Sequence, residues 1–108
     1  MPPALPDAVA CFFTASNQGD ATVLLPYLAT DAVVRDDGHR HQGAAAIAAW
    51  LARAQATPPY PAVPREAHTH GDALHVTADV SGAFLQSPLQ LEHVFRLMDG
   101  KSAALEIH

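Results

Sequence analysis

The segment VVRDDGHRHQG, residues 33–43, holds residue types able to move a proton. Asp36 and Asp37 are consecutive in an extended run, so their side chains point to opposite faces, and Val34 shares the face of Asp36. A carboxylate on that face that meets an apolar chamber can take a proton from an activated carbon or orient a water, whereas in water it is a turn acid placed before Gly38. We expect Asp36 to face inward. A second candidate is His93, which interrupts the apolar alternation Leu89, Leu91, Phe95, Leu97. A neutral imidazole there could donate to a developing oxyanion and a charged one could hold a carboxylate; the simpler alternative is a core histidine satisfied by one hydrogen bond. Asp36 and His93 are therefore expected as an acid-base pair. Phe12, Phe13, Trp50 and Phe95, with Val34 and Leu91, are the candidate substrate-binding walls, although aromatic residues at these spacings are also ordinary core.

Histidines recur in pairs at His39/His41 and His68/His70. In strands, an i and i+2 spacing presents both imidazoles on one side, which suits a metal site that Asp36 or Asp79 could complete. The first pair falls in what reads as a tight turn and the second abuts Gly71. Solvated turns and strand rims therefore account for them, and no metal and no cofactor are expected.

Positioning these groups requires a fold that 108 residues can build as one domain, 1–108, burying roughly two thirds of the unfolded surface. Six Lys plus Arg against eleven Asp plus Glu give a net charge of −5. No basic stripe exists to grip a phosphate backbone, so no nucleic-acid partner is expected. The single cysteine, Cys11, excludes a disulfide framework and a thiolate zinc set. No apolar run reaches membrane-spanning length and the first residues lack the basic start of a secretory signal, which leads us to expect no membrane partner and a cytoplasmic location.

The spacing of Leu5, Val9, Phe12, Phe13 and Ser16 predicts a first helix ending at Gly19. Asp20 can cap a second, short helix carrying Val23, Leu24, Leu25 and Leu28, with Pro26 kinking or ending it. Residues 30–37 read as a strand and 38–42 as a tight return. Gly43 then admits a helix over 44–54 whose inner face is Ile47, Trp50 and Leu51. The Pro-rich stretch 57–64 connects to four strand-like runs at about 62–70, 73–80, 89–98 and 101–107. The Gly-Asp and Asp-Gly signals at 71–72 and 99–100 predict antiparallel hairpins.

This order of features, with Gly19-Asp20, Thr30-Asp31-Ala32 leading into an acidic strand end, Gly43-x-x-x-Ile47-x-x-Trp50, and His93-Val94-Phe95-Arg96-Leu97-x-Asp99-Gly100-Lys101, resembles the SnoaL-like and ketosteroid isomerase-like branch of the nuclear transport factor 2-like superfamily over residues 5–107. The resemblance implies an α+β cone, a curved antiparallel sheet wrapped around three N-terminal helices, with an apolar pocket at its open end. It also places Asp36 at the general-base aspartate of ketosteroid isomerase. Of that enzyme's two oxyanion donors, a tyrosine and a protonated aspartate, the first is replaced by Phe12 and the second by His93, so steroid isomerisation by that route is not expected.

Taken together, these features lead us to expect a cofactor-independent enzyme of isomerase, cyclase, dehydratase or hydrolase type. It would act by proton transfer at Asp36, assisted by His93, on a small apolar carbonyl-bearing or cyclic molecule. The alternative is a noncatalytic small-ligand-binding or dimerisation module. A homodimer is expected through the outer sheet face that bears Gln90, Val94, Arg96 and Met98.

Overall fold

The computed structural model describes residues 5–18, 21–36, 38–54, 62–80 and 89–107; Asp37 lies outside them. Helix α1 spans Asp7–Gln18, strand β1 Leu28–Asp36, strand β2 His39–Gln42 and helix α2 Ala44–Ala54. Strands β3 (Ala62–His70), β4 (Ala73–Val80), β5 (Leu89–Met98) and β6 (Lys101–Ile107) follow. Helix α1 starts on the Pro6 carbonyl, which accepts from the Val9 and Ala10 amides at 3.0 and 2.9 Å. It buries Val9, Phe12, Phe13 and Ala15. Asn17, near its end, clamps the start of β3: its Nδ2 donates to the Ala62 carbonyl at 2.9 Å and its Oδ1 accepts from the Ala62 amide at 2.7 Å.

The described residues hold two α-helices, so the expected three N-terminal helices are corrected. The chain between α1 and β1 forms two short 3₁₀ turns, Ala21–Val23 and Leu25–Tyr27, separated at Leu24. Pro26 lies in the first positions of the second turn. Lacking an N–H and clashing with the carbonyl four residues back, it confines the segment to single tight turns instead of a continuous α-helix. Leu24 still reaches the core, where it is fully buried.

One six-stranded sheet runs β2-β1-β6-β5-β4-β3. Two expectations change here. Residues 39–42 are a strand paired with β1 (Val34 opposite His41, Asp36 opposite His39), not a bare return. The sheet is also mixed, because β1 and β6 pair in parallel while every other pair is antiparallel. The three hairpin-type pairings from β3 onward fix the direction of β6. Because β1 joins the rest only through α2, it is free to run alongside β6.

Register breaks between Leu28 and Val33, Pro64 and Glu66, and Arg96 and Leu97 add the bends that curve the sheet around the helices. Pro64 is tolerated because β3 is an edge strand. At the β5–β6 turn both Asp99 (φ 53) and Gly100 (φ 77) have positive φ, the primed turn that the Asp-Gly pair predicts. Gly43 (φ 89) donates to the Ala32 carbonyl at 2.8 Å and accepts the first α2 bond from the Ile47 amide at 3.0 Å. A left-handed residue is therefore needed to turn β2 into the helix.

The core lies between the concave sheet face and the helices. Phe12, Phe13, Trp50 and Phe95, with Leu24, Ile47, Leu51 and Leu105, are its largest members. No helix among the described residues is long and apolar enough to cross a membrane.

Candidate functional site

Alternation along β1 places Ala32, Val34 and Asp36 on one face. The first two are buried and Asp36 is half-buried, whereas Asp31 and Arg35 are exposed. Asp36 thus ends the inward-facing row of its strand. Residues directly opposite one another in neighbouring strands share a face, and the register carries that row across the sheet: His39, Asp36, Ile107, His93, Val76, Ala67. Asp36 and His93 accordingly stand on the same concave surface with Ile107 between them. Two strand spacings separate their backbones, on the order of 10 Å.

Trp50 holds Asp36. Its indole Nε1–H donates to Asp36 Oδ2 at 3.2 Å, and the ring is nearly buried, at 9% exposure. Phe12 stacks against the indole (centroids 6.2 Å apart, planes at 16°), as does His41 (5.7 Å, 25°). Trp50, expected as a pocket wall, thus meets His41, which lies in β2 and not in the expected turn. The β1–β2 hairpin brings the two together, and the Asp-Gly pair at 37–38 was the sequence signal for that hairpin.

His93 is 4% exposed and ringed by aromatic side chains: Phe13 at 5.0 Å, Phe12 at 6.0 Å and Phe95 at 6.4 Å between centroids. Burial among them pushes its pKa down to about 4, opposed in part by the Leu91 backbone. At neutral pH the imidazole is uncharged, able to donate to an oxyanion but not to hold a carboxylate by charge. Its Nδ1 is buried with no hydrogen-bond partner among the described residues.

Among the other candidate walls, Val34 and Phe95 belong to the core, and Leu91 is half-buried opposite Ala78. Asp36 and His93 do not face each other across a described open chamber; they are linked through Trp50 and Phe12. An apolar cavity of about 10 Å³ lies between Phe12, Leu24, Leu28, Val34, Phe95 and Ser102. That is room for about one water. Ser102 Oγ, on a 5% exposed residue, borders it without a partner among the described residues. A surface groove of about 440 Å³ runs past Asp31, Met98 and Lys101, at the end of the sheet remote from Asp36.

The remaining polar clusters occupy the convex face. Arg65 Nε donates to Asp79 Oδ2 at 2.6 Å and Gln90 Nε2 to Asp79 Oδ1 at 3.1 Å. Those two bonds, Arg65 first, hold the Asp79 carboxyl below the usual range. His75 is bonded to Glu92, and the rings of His68 and His70 lie 6.3 and 5.8 Å from that of His75. His75 joins this cluster through cross-strand pairing with His68, which no sequence spacing shows. Among the described residues, no group of three or more His, Cys, Asp or Glu side chains is arranged to hold a metal ion.

Comparison with known proteins adds a family and a fold. Residues 9–105 match the SnoaL-like domain. A candidate polyketide cyclase from Sinorhizobium meliloti is 43% identical, with 96% of this chain and 95% of that one covered at a TM-score of 0.88. A protein of ketosteroid isomerase-like fold from Catenulispora acidiphila, in complex with trimethylamine, is 19% identical over 97% and 86% of the two chains, with a TM-score of 0.82. TerC, co-crystallised with polyporic acid, is 22% identical over 96% and 91%, with a TM-score of 0.76. The last two likenesses show the fold alone. No protein of curated function matches.

Proposed function

We propose, because this chain belongs to the SnoaL-like domain family, that it is a cofactor-independent enzyme moving a proton on a small, uncharged, apolar molecule that bears a carbonyl. Asp36 is the base. It accepts a proton from the carbon beside the carbonyl and returns it to the same or a neighbouring carbon. The electron pair released by the carbon rests meanwhile on the carbonyl oxygen. His93, uncharged at neutral pH, donates its ring N–H to that oxygen. Phe12 carries no donor, so of these two positions His93 is the one that serves the oxyanion.

The observation that supports this most is the shared row: a half-buried carboxylate and a buried, incompletely bonded imidazole on one concave surface, separated only by Ile107. The likeness to a candidate polyketide cyclase points to cyclic, carbonyl-rich molecules as the class to try.

A second reading, a noncatalytic ligand-binding or dimerisation module, is favoured by a different observation. Trp50 and Phe12 link the two groups, and the described cavity is water-sized. One experiment separates the two readings. Solvent deuterium incorporation into a set of small cyclic ketones, among them a β,γ-unsaturated one, is followed by NMR for the wild-type protein and for Asp36→Asn. Proton transfer predicts exchange that falls on the order of 100-fold or more in the variant. Exchange no faster than buffer throughout the set, or equal in both proteins, favours the module.

A further inference from the structure

We propose that Trp50 is a positioning residue for Asp36, with His41 as the ring that keeps the indole in place; this rests on Asp36 being the base. Three other described carboxylates each have a basic partner: Asp79 has Arg65, beside the amide of Gln90, Asp72 has Arg96, and Glu92 has His75. Asp36 instead accepts from a neutral indole N–H, and no arginine or lysine whose side chain is described bonds it. The difference has chemical meaning. A guanidinium beside a carboxylate strongly favours its anion and weakens it as a base, whereas a neutral donor fixes its orientation with a smaller effect on proton affinity. With Oδ2 held by the indole, Oδ1 is the oxygen left to meet the substrate.

The indole itself is fixed from three sides. Ile47 and Leu51, fully buried, set the rotation of α2. Phe12 stacks on the ring from α1, and His41 does so from β2, one alternation away from His39, which faces Asp36. The hairpin that carries Asp36 therefore also supplies a ring to the residue that holds it. Asp36, Trp50 and His41 are in contact in series, so a displaced indole turns the carboxylate as well. Misplacing a base by about 1 Å can cost on the order of 100-fold in rate.

Trp50 is the sole tryptophan of the chain, so the protein gives one indole N–H resonance that reports on this contact directly. In ¹⁵N-labelled protein we expect Asp36→Asn to move that resonance upfield, because a charged acceptor becomes a neutral one. We expect His41→Ala to broaden it, with the far-ultraviolet spectrum and the remaining amide resonances unchanged. In the ketone exchange assay, Trp50→Phe, which keeps a ring but loses the donor, should lower kcat by roughly ten- to a hundred-fold with KM little changed. His41→Ala should follow in the same direction by a smaller factor. An indole resonance indifferent to Asp36→Asn overturns the proposal whatever the activity. A resonance that moves while Asp36→Asn leaves exchange intact establishes the contact and overturns the proton-transfer reading instead.

Discussion

Lowering the pH should destabilise this protein through His93 in a way that a single substitution removes. The folded state depresses the pKa of this imidazole from 6.5 to about 4, chiefly through burial. Between those values the unfolded chain binds a proton that the folded chain does not, so acid favours unfolding. The contribution of His93 is fully present above about pH 6.5, declines as the pH falls toward 4, and changes no further below that. A fall from 6.5 to about 4, at about 1.36 kcal/mol for each pH unit, amounts to roughly 3 kcal/mol, of which about 2 kcal/mol is gone by pH 5. That is a large share of the 5–15 kcal/mol typical of a domain. His93→Phe keeps a ring among Phe12, Phe13 and Phe95 and removes the unpaired Nδ1, so at pH 7 its stability should lie within about 2 kcal/mol of the wild type. Urea unfolding of both proteins at intervals from pH 7 to pH 4 cancels the other histidines, which are common to both. The stability of the variant relative to the wild type should rise by about 2 kcal/mol between pH 7 and pH 5. A difference that stays flat over that range, or a His93 ring signal titrating near 6.5, would refute the claim that the imidazole is buried uncharged.

Three further outcomes are expected. Phe95→Ala, at a fully buried ring in contact with Phe12 and Phe13, should cost about 3–5 kcal/mol in urea unfolding. Arg65→Met should raise the Asp79 carboxyl titration midpoint in a ¹³C experiment, because the largest of the interactions that depress it is lost. The acid-side stability that the depression supplies, present above the unfolded-state value and lost as the pH falls, should shrink with it. If the convex face pairs two copies of the chain, Val94→Glu, in the middle of β5, should shift the protein toward monomer in light scattering; a wild-type monomer at working concentration excludes that assembly.

Local pattern revealed most of the strands and little of the partnerships between them. The period of two from Leu89 to Met98 is the whole of β5, and the Asp-Gly pair at 99–100 is its turn, because alternation and turn chemistry are properties of adjacent residues. The inward face of Asp36 followed from Val34 by the same rule. The break at Pro26 was legible as well, since a residue without an N–H interrupts a helical spacing. Two features did not follow from local pattern. The parallel β1–β6 pair joins residues remote in sequence. The bond from Trp50 to Asp36 needs a helix and a strand docked at one particular rotation. Donors such as the Trp50 indole do not advertise their acceptors in sequence, and the His75–Glu92 contact is likewise visible only once β4 and β5 are in register.

The last of the described strands is an inner strand of the sheet: β6 lies between β1 and β5, and Val34 pairs with Leu105. On the ribosome, β1, β2 and both helices are made long before their sheet neighbour exists. Until residues 101–107 emerge, β1 on one side and β5 on the other present unpaired edges, the kind of surface that recruits other chains. Pairing between such distant segments also makes closure slow compared with hairpin formation. Ile107, which separates Asp36 from His93, belongs to this late strand. The row that carries Asp36 and His93 therefore closes only when β6 has joined the sheet, and until then a nascent chain exposes strand edges that another chain can pair with.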